Sequence, residues 1–560
     1  MIIDKNKVIG GFMVLVAFLL STFSTTGQYG SDPRGTLLVS ETILTHKTIR
    51  LDHYGEETLR NNVHIKLHDG HYYYEYPLGT PIASIPFVAL ARGWGLDMLQ
   101  SEAAVQKLIV SFTTVVTMIL LVKIARLFLE PTSALLISGV FWLGTSFAST
   151  TGTTLWSHNF AAIFSLAAIY VVLKATREGK TNYWPIISIL LFSAYLCRPT
   201  LALLAPFVLL FLFTYNRLAA IKSALLVAFL LGCFMVFSLH EFHQLLPDYY
   251  MQQQPFGGDH FFEGLYGNLL SPSRGLLIYS PFILLTWLCV GVSWKKWNLK
   301  RSWLLIGLAW PVVHILLISS WSVWWGGNSF GPRLLTDILP GLFLLTIYAW
   351  PVAIRGVLGK SAVAILALSI VFSVFVNSYQ GLFNQYTVDW NDLPLVGRDS
   401  HTLFNWSFPQ FLHTKERSEK RFVQLCAMYC SPILPSEALS FASDKVRFID
   451  WSFAEDTHRW SSGTSSSIVF RLDRPAGEFE GELSLTAGSL GRQRINVFLN
   501  DAEIFGGQID SWGETVDVPF SPTLLQDGLN TIRFDLPDAR QPESGDSRVL
   551  ALALISFSLR

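Results

Sequence analysis

Charge is scarce in this chain. Of 560 residues, 15% are Asp, Glu, Lys or Arg, and 41 acidic residues cancel 41 basic ones. So little charge beside 51% hydrophobic residues excludes a disordered chain. Cysteine is scarcer still, with five residues. Cys197, Cys233 and Cys289 sit in apolar stretches and read as core. Cys426 and Cys430 lie four apart in a polar region, where a disulfide and a free pair are both open. No Cys or His cluster has zinc-ligand spacing, so no metal and no cofactor is called for. No internal repeat is evident.

Long apolar runs are what the chain has in quantity, and its mean hydropathy is +0.39. About 20 apolar residues span the hydrocarbon core of a bilayer as a helix. About eleven such runs can be read, at 8–26, 105–128, 132–150, 155–174, 183–197, 200–215, 222–240, 275–293, 302–321, 334–350 and 361–379. Beyond Tyr379 the chain turns polar, rich in Ser, Gly, Asp and Arg. The predicted fold class is a polytopic α-helical membrane protein with a C-terminal exported β-sandwich. Residues 1–380 form the membrane domain, 381–442 a linker and 443–560 the sandwich.

The placement of charge orients the runs. Lys5 and Lys7, Lys123 and Arg126, Lys174, Arg177 and Lys180, Arg217 and Lys222, Lys295 to Arg301, and Arg355 and Lys360 occupy alternate gaps. The opposite short gaps hold only Arg198, Arg274 and Arg333. Basic residues gather on the cytoplasmic side, so the N-terminus is cytoplasmic. The loop at 27–104, the loop at 241–272 and the C-terminal domain are then exported, periplasmic or extracellular, from a bacterial inner or plasma membrane. The first run reads as a retained span, since no small-x-small cleavage site precedes Gln28.

The loop at 27–104 is the longest gap between runs. Thr36 to Thr48 predicts a helix, and His64 to Tyr76 a hairpin about Asp69-Gly70. Residues 82–99, with Arg92 and Trp94 embedded, predict an amphipathic helix at the interface. In the tail, 467–472, 482–485, 494–499 and 531–536 predict strands of a sandwich of about 115 residues. Its Trp451, Trp460 and Trp512 are candidates for core or for stacking on sugar, with core the expectation for at least two.

Arg198, Arg274 and Arg333 are exceptions to the charge rule, and a planar guanidinium suits phosphate. The competing reading is snorkelling, or a pair with Asp337. Arg333 is the first choice, because Gly326, Gly327 and Gly331 leave backbone space around it. Asp32 is the candidate base, close after the first run and able to take a proton from a hydroxyl nucleophile. Followed by Pro33, it is equally a helix N-cap. Tyr72, Tyr73, Tyr74 and Tyr76 are a sugar-stacking wall or an interfacial belt. Glu75 binds hydroxyls or faces water. His158, beside Trp156 and Asn159, is a substrate contact or a structural histidine. Asp248 and Asp259 read as solvated loop residues.

Several segments carry a family resemblance: Tyr74-Glu75-Tyr76-Pro77-Leu78-Gly79-Thr80, Leu155-Trp156-Ser157-His158, Cys197-Arg198-Pro199-Thr200, the stretch from Ser271 to Pro281, and the stretch from Gly326 to Arg333. Together with a long exported first loop, they resemble the GT-C superfamily of polytopic glycosyltransferases. The similarity is to the branch of protein O-mannosyltransferases and lipid A aminoarabinose transferases, over residues 1–380. The resemblance implies sugar transfer from a polyprenyl-phosphate carrier to an acceptor hydroxyl, with inversion and without metal. It implies Asp32 as the base, Arg333, Arg274 and Arg198 at the donor phosphate, and Tyr74, Glu75, Tyr76 and His158 at the substrate. The partners implied are the lipid-linked sugar, an acceptor glycan, lipid or protein, and the bilayer, with no nucleic acid. Two positions depart from the branch: Pro33 where many relatives carry Glu, and Glu75 where many carry Lys. The alternative reading is a transporter or flippase of a lipid-linked sugar, in which Asp32 would be only a cap.

Overall fold

A computed structural model describes residues 5–560 apart from 61, 252–259, 294–302, 355–359, 392–399, 430, 444, 456, 474–478 and 543–547. Asp259, Lys295 to Arg301, Arg355 and Cys430 therefore lie outside the described residues. The chain divides into two compact units, Met1–Thr414 and Lys415–Arg560.

The first unit is mostly helical. Among the described residues, five helices are long and apolar enough to cross a membrane: Met98–Ala125, Ser157–Glu178, Arg217–Phe242, Arg333–Trp350 and Lys360–Phe383. Five shorter apolar helices are Val8–Thr22, Pro131–Leu143, Trp184–Cys197, Pro199–Phe213 and Leu305–Ser319. The expected count of eleven full spans is thus not reproduced among the described residues. Proline and its neighbours cut some of the runs. The 275–293 run is divided between Leu276–Tyr279 and Phe282–Ser293 around Pro281, while Arg198, extended before Pro199, ends a helix at Cys197 where the sequence already separates the runs at 183–197 and 200–215. Leu225, Phe229 and Val236 on one helix and Leu368 and Val371 on another stand 65–70% exposed. Apolar surface on that scale has no place in water and fits an integral membrane protein.

The loop after the first helix is a folded layer. The helix Thr36–His46 buries Leu37, Leu38 and Val39. The hairpin pairs Ile65–His68 with His71–Tyr74, in the register Ile65 to Tyr74 and His68 to His71. Asp69 and Gly70 have φ of 48° and 82°, the left-handed pair that a two-residue hairpin turn of type I′ requires. The chain then enters the helix Gly79–Gly93. A Cβ at Gly79 would come within 2.4 Å of the Cys197 backbone nitrogen, so glycine lets the Tyr76-Pro77 corner approach Arg198.

In the second unit the helix Lys415–Tyr429 precedes two antiparallel sheets. One runs Ala502–Ile509, Gln493–Leu499, Gly528–Asp535, Ser465–Leu472, Arg447–Ile449. The other runs Glu514–Pro519, Glu482–Ser489, Leu552–Leu559, Arg459–Ser461, Trp451–Ala454, with Leu439–Ser440 also pairing Leu552–Leu559. Phe470, Val497 and Phe534 of the first sheet and Leu485, Leu552 and Phe557 of the second share one core, which makes the pair a sandwich. Glu482–Ser489 alternates inward apolar with outward polar residues, burying Leu483, Leu485 and Ala487.

Candidate active site

Asp32 sits in the turn between the first helix and Thr36–His46. It does not cap that helix. The N-cap is Gly35, at φ 96°, with no side-chain cap of its own. The acceptor comes instead from Glu102 on the helix Met98–Ala125, whose carboxylate takes the Gly35 N–H at 3.0 Å and the Leu37 N–H at 2.9 Å. The sequence reading of Asp32-Pro33 as cap and first helical residue is therefore corrected: the helix starts at Thr36, too far along for Asp32. The Asp32 side chain is left to turn elsewhere, while its backbone carbonyl accepts the Tyr74 hydroxyl at 2.5 Å. Thr36 holds the same hydroxyl at 2.7 Å.

The Asp32 carboxylate meets Arg333. Arg333 donates from Nη1 to Asp32 Oδ2 at 2.8 Å and from Nη2 to the Gly326 carbonyl at 2.7 Å. Its guanidinium lies 4.3 Å from the centre of the Trp156 ring, which fixes its plane. Its Nε is buried without a hydrogen-bond partner. Burial alone would raise the Asp32 carboxyl pKa. The charge and hydrogen bond of Arg333, with the Tyr76 hydroxyl behind them, outweigh burial and hold it below the ordinary carboxylate value. Burial and then the Asp32 charge push the Tyr76 phenol well up, so it stays a neutral donor to Asp32.

A second charged group lies beside the first. Asp337 is 3% exposed and accepts from Arg198 Nε at 2.7 Å, His158 Nδ1 at 2.8 Å and Thr200 Oγ1 at 3.1 Å. The expected alternative, an arginine paired with Asp337, thus applies to Arg198, while Arg333 pairs with Asp32. Arg198 also donates from Nη1 to Ser157 Oγ at 3.1 Å. With Nδ1 committed to Asp337, His158 offers its other ring nitrogen to the cavity.

These residues line one open cleft. Its walls include Asp32, Tyr74, Tyr76, Trp156, His158, Arg198, Tyr249 and Arg333. Tyr74, Tyr76 and Tyr249 form an aromatic side, with ring centres 5.5 Å and 5.4 Å apart in succession. A second, smaller pocket shares Trp156 and Arg333 with the first. It is rimmed by hydroxyls, among them Thr150, Thr153, Thr154 and Ser329. Thr150 Oγ1 and Ser329 Oγ are buried there without partners. Thr150 belongs to a π-helical turn, Phe147–Thr151, whose extra width breaks the helical ladder.

Glu75 and Arg274 stand apart from the cleft, as do Tyr72 and Tyr73. Glu75 pairs with His64 at 2.8 Å, on the hairpin. Arg274 is 1% exposed and gives its N–H groups to neutral acceptors: Gln410 Oε1 at 2.6 Å, Asn391 Oδ1 at 2.7 Å, and the carbonyls of Ser273, Trp325 and Gly327 at 2.8–3.2 Å. Gln410 and Asn391 come from the stretch expected to be linker, and both lie in the first unit. Sequence reading missed Glu102 and Tyr249. Glu102 had one signal, an acid near the start of an apolar run; Tyr249 was one tyrosine of the loop at 241–272.

Residues 86–241 match the family model described as Dolichyl-phosphate-mannose-protein mannosyltransferase. That match supports a glycosyltransferase of the GT-C superfamily. The matched segment contains Trp156, His158 and Arg198 but neither Asp32 nor Arg333. No curated protein matches the chain. Among solved structures, the apo form of the Archaeoglobus fulgidus oligosaccharyltransferase aligns over 72% of this chain and 60% of its own, at 11% identity and a TM-score of 0.40. A family two carbohydrate esterase from Clostridium thermocellum in complex with cellohexaose aligns over 20% of this chain and 31% of its own, at 14% identity and a TM-score of 0.15. A Paenibacillus cycloisomaltooligosaccharide glucanotransferase complexed with cycloisomaltoheptaose aligns over 22% and 18%, at 14% identity and a TM-score of 0.15. The chain therefore spans less than a third of the length of these last two proteins.

Proposed function

We propose that this protein transfers a sugar from a polyprenyl-phosphate carrier to an acceptor hydroxyl on the exported face of the membrane, with inversion at the anomeric carbon. The observation that carries the reading is the Asp32–Arg333 pair at 2.8 Å, a carboxylate and a phosphate-binding cation side by side in an aromatic cleft. Asp32 takes the proton of the acceptor hydroxyl as its oxygen bonds to the anomeric carbon. The bond from that carbon to the phosphate oxygen breaks, and the lipid phosphate leaves with the electron pair. Arg333, with Arg198 beside it, offsets the charge on the leaving group.

A base locked in an ion pair is a weak base. Donor binding resolves this: when the phosphate takes Arg333, Asp32 loses the cation that depresses its pKa, and burial then raises its proton affinity. The second cavity touches Arg333 on a hydroxyl-lined side, which suits the polar portion of a substrate. The proposed topology follows the charge pattern, with the cytoplasmic N-terminus opposite an exported first loop and C-terminal unit. Tyr74, Tyr76 and His158 would contact the sugar from the cleft walls. The placements of Glu75 on the hairpin and of Arg274 among neutral acceptors favour a supporting role for both.

Mass spectrometry of surface glycans from cells with the gene, without it, and with Asp32→Ala tests the proposal. The expected result is loss of one sugar in the deletion and in Asp32→Ala, at normal protein level. Full transfer by Asp32→Ala would overturn catalysis by this residue and favour a carrier that moves the lipid-linked sugar.

A further inference from the structure

The sheet Glu514–Pro519, Glu482–Ser489, Leu552–Leu559, Arg459–Ser461 turns one face to the core, and its other face has an unusual composition. Residues directly opposite one another on paired strands share a face. Gly488, Ala553 and Trp460 form one such row. Thr515, Thr486, Ser556 and Ser440 form the next, and Asp517, Ser484 and Ser558 the third. Leu483, Leu485 and Ala487 point the other way into the core, so all three rows are outward. Two of the three rows are hydroxyls with one exposed carboxylate.

The first row is aromatic and walled. Trp512 is 56% exposed, and its ring lies flat on Gly488, where a Cβ would come within 2.4 Å of it. Trp460 stands across the row, its ring centre 5.9 Å from that of Trp512 at 58°. His458 closes the cluster at 5.3 Å from Trp460 and 4.9 Å from Trp512. Ala553, between them, is fully buried although it points outward. An exposed indole keeps apolar surface in water that the apolar face of a ligand can cover. Trp451, by contrast, packs against the sandwich core and donates to the Ser467 carbonyl at 3.0 Å. The expectation that at least two of the three tryptophans are core thus holds for Trp451 alone.

The outward face of the companion sheet differs. It carries Arg533 over Phe498 at 4.2 Å and the ion pairs Arg471–Asp473 and Arg494–Asp538. Charges there satisfy one another. The tryptophan face presents flat apolar rings next to rows of single hydroxyls, and the paired Glu455 and Arg548 at its edge, 3.0 Å apart. A pyranose has this same division, an apolar C–H face and a rim of hydroxyls. A protein hot spot would need a deeper apolar patch, and an anionic lipid surface would need basic residues.

We propose that the Trp460–Trp512 face of the C-terminal sandwich is a binding site for neutral pyranose oligosaccharides, independent of the transfer site. Saturation-transfer NMR on the full-length protein in detergent, with mannan and glucan hexasaccharides as probes, tests it. Ring C–H protons of at least one probe should receive saturation. Trp512→Ala should weaken that binding about tenfold, the loss of one good stacking contact. Trp406→Ala, at an exposed tryptophan of the first unit, should leave it unchanged. Sugar transfer to a small acceptor should survive Trp512→Ala, which separates this site from the cleft. No saturation with either probe at millimolar concentration overturns the proposal. So does equal binding by Trp512→Ala, or capture of neutral or anionic vesicles through Trp512 instead of sugar.

Discussion

Arg333 and Arg274 hold neighbouring carbonyls of one loop and live in opposite electrostatic settings. Arg333 grips Gly326 and faces a carboxylate across an open cleft. Arg274 grips Trp325 and Gly327 from below, 1% exposed, and among the described residues its acceptors are all neutral. An arginine with a charged partner in a cleft can exchange that partner for a ligand. One fully enclosed by amide and carbonyl oxygens has nothing to exchange and serves the loop. The two arginines, which sequence reading placed together at a phosphate, divide into a ligand-facing residue and the residue that shapes its support.

Breaking the enclosed side should cost most. Arg274→Met removes the donor for five acceptors buried in the same place, and each orphaned acceptor bears its own desolvation cost. Thermal unfolding in detergent should show a loss of about 4 kcal/mol, within the range for destroying a buried polar network. Arg274→Lys should recover little, because a single ammonium cannot reproduce the planar fork. A melting temperature unchanged in Arg274→Met would mean that the loop does not depend on it.

The open side should instead lose chemistry. Asp32→Asn keeps the shape and a hydrogen-bond acceptor but removes the base. The transfer rate should fall about 10²- to 10⁴-fold, the usual worth of general-base catalysis. Single-turnover assays with a polyprenyl-phosphate sugar read this directly. A fall confined to KM would place Asp32 in binding alone.

Acid sensitivity distinguishes the pair more finely. A carboxyl with a depressed folded pKa contributes stability above its unfolded pKa of about 3.9, and that contribution is lost as pH falls through the lower folded value. The same group is the ionised base of the free protein, so the acid limb of kcat/KM should lie below the ordinary carboxylate range. Arg333→Gln removes the largest lowering influence and leaves burial, which raises. The limb should then move to higher pH in whatever activity remains. A limb that stays in place would show that Arg333 does not control Asp32.

Much of this frame was legible in sequence because its signals are local. Asp69-Gly70 specifies its turn whatever surrounds it, and the strands around Ile468 and Val497 announce themselves by alternation. The motifs were legible one by one, and the fold brings Tyr76, Trp156, His158, Arg198 and Arg333 to one cleft. What could not be read was pairing across the chain. Asp32 and Arg333 are 301 positions apart, and Arg274 and Gln410 are 136 apart. No periodicity encodes such partners; only packing decides them. The eleven full-length spans are not reproduced among the described residues for a related reason, since a hydropathy run does not register where a proline or a wide turn ends the helix.

Glu102 is the case where a non-local partner overturned a sound local rule, and it yields the smallest and most specific test. Asp-Pro before a helix is a good cap signal, yet the two N–H groups at Gly35 and Leu37 are taken by a carboxylate from another helix, near the positive end of the helix dipole. Glu102→Gln keeps one acceptor oxygen and turns an amide N–H₂ toward a backbone donor. The cost should be about 1 kcal/mol, the value of a helix cap. Because the turn at 31–34 leads directly into that helix, transfer should fall severalfold while the acid limb of the pH profile stays where Asp32 and Arg333 set it. If Asp32 were itself the cap, Glu102→Gln would leave rate and stability alone, and Asp32→Asn would carry the structural loss instead.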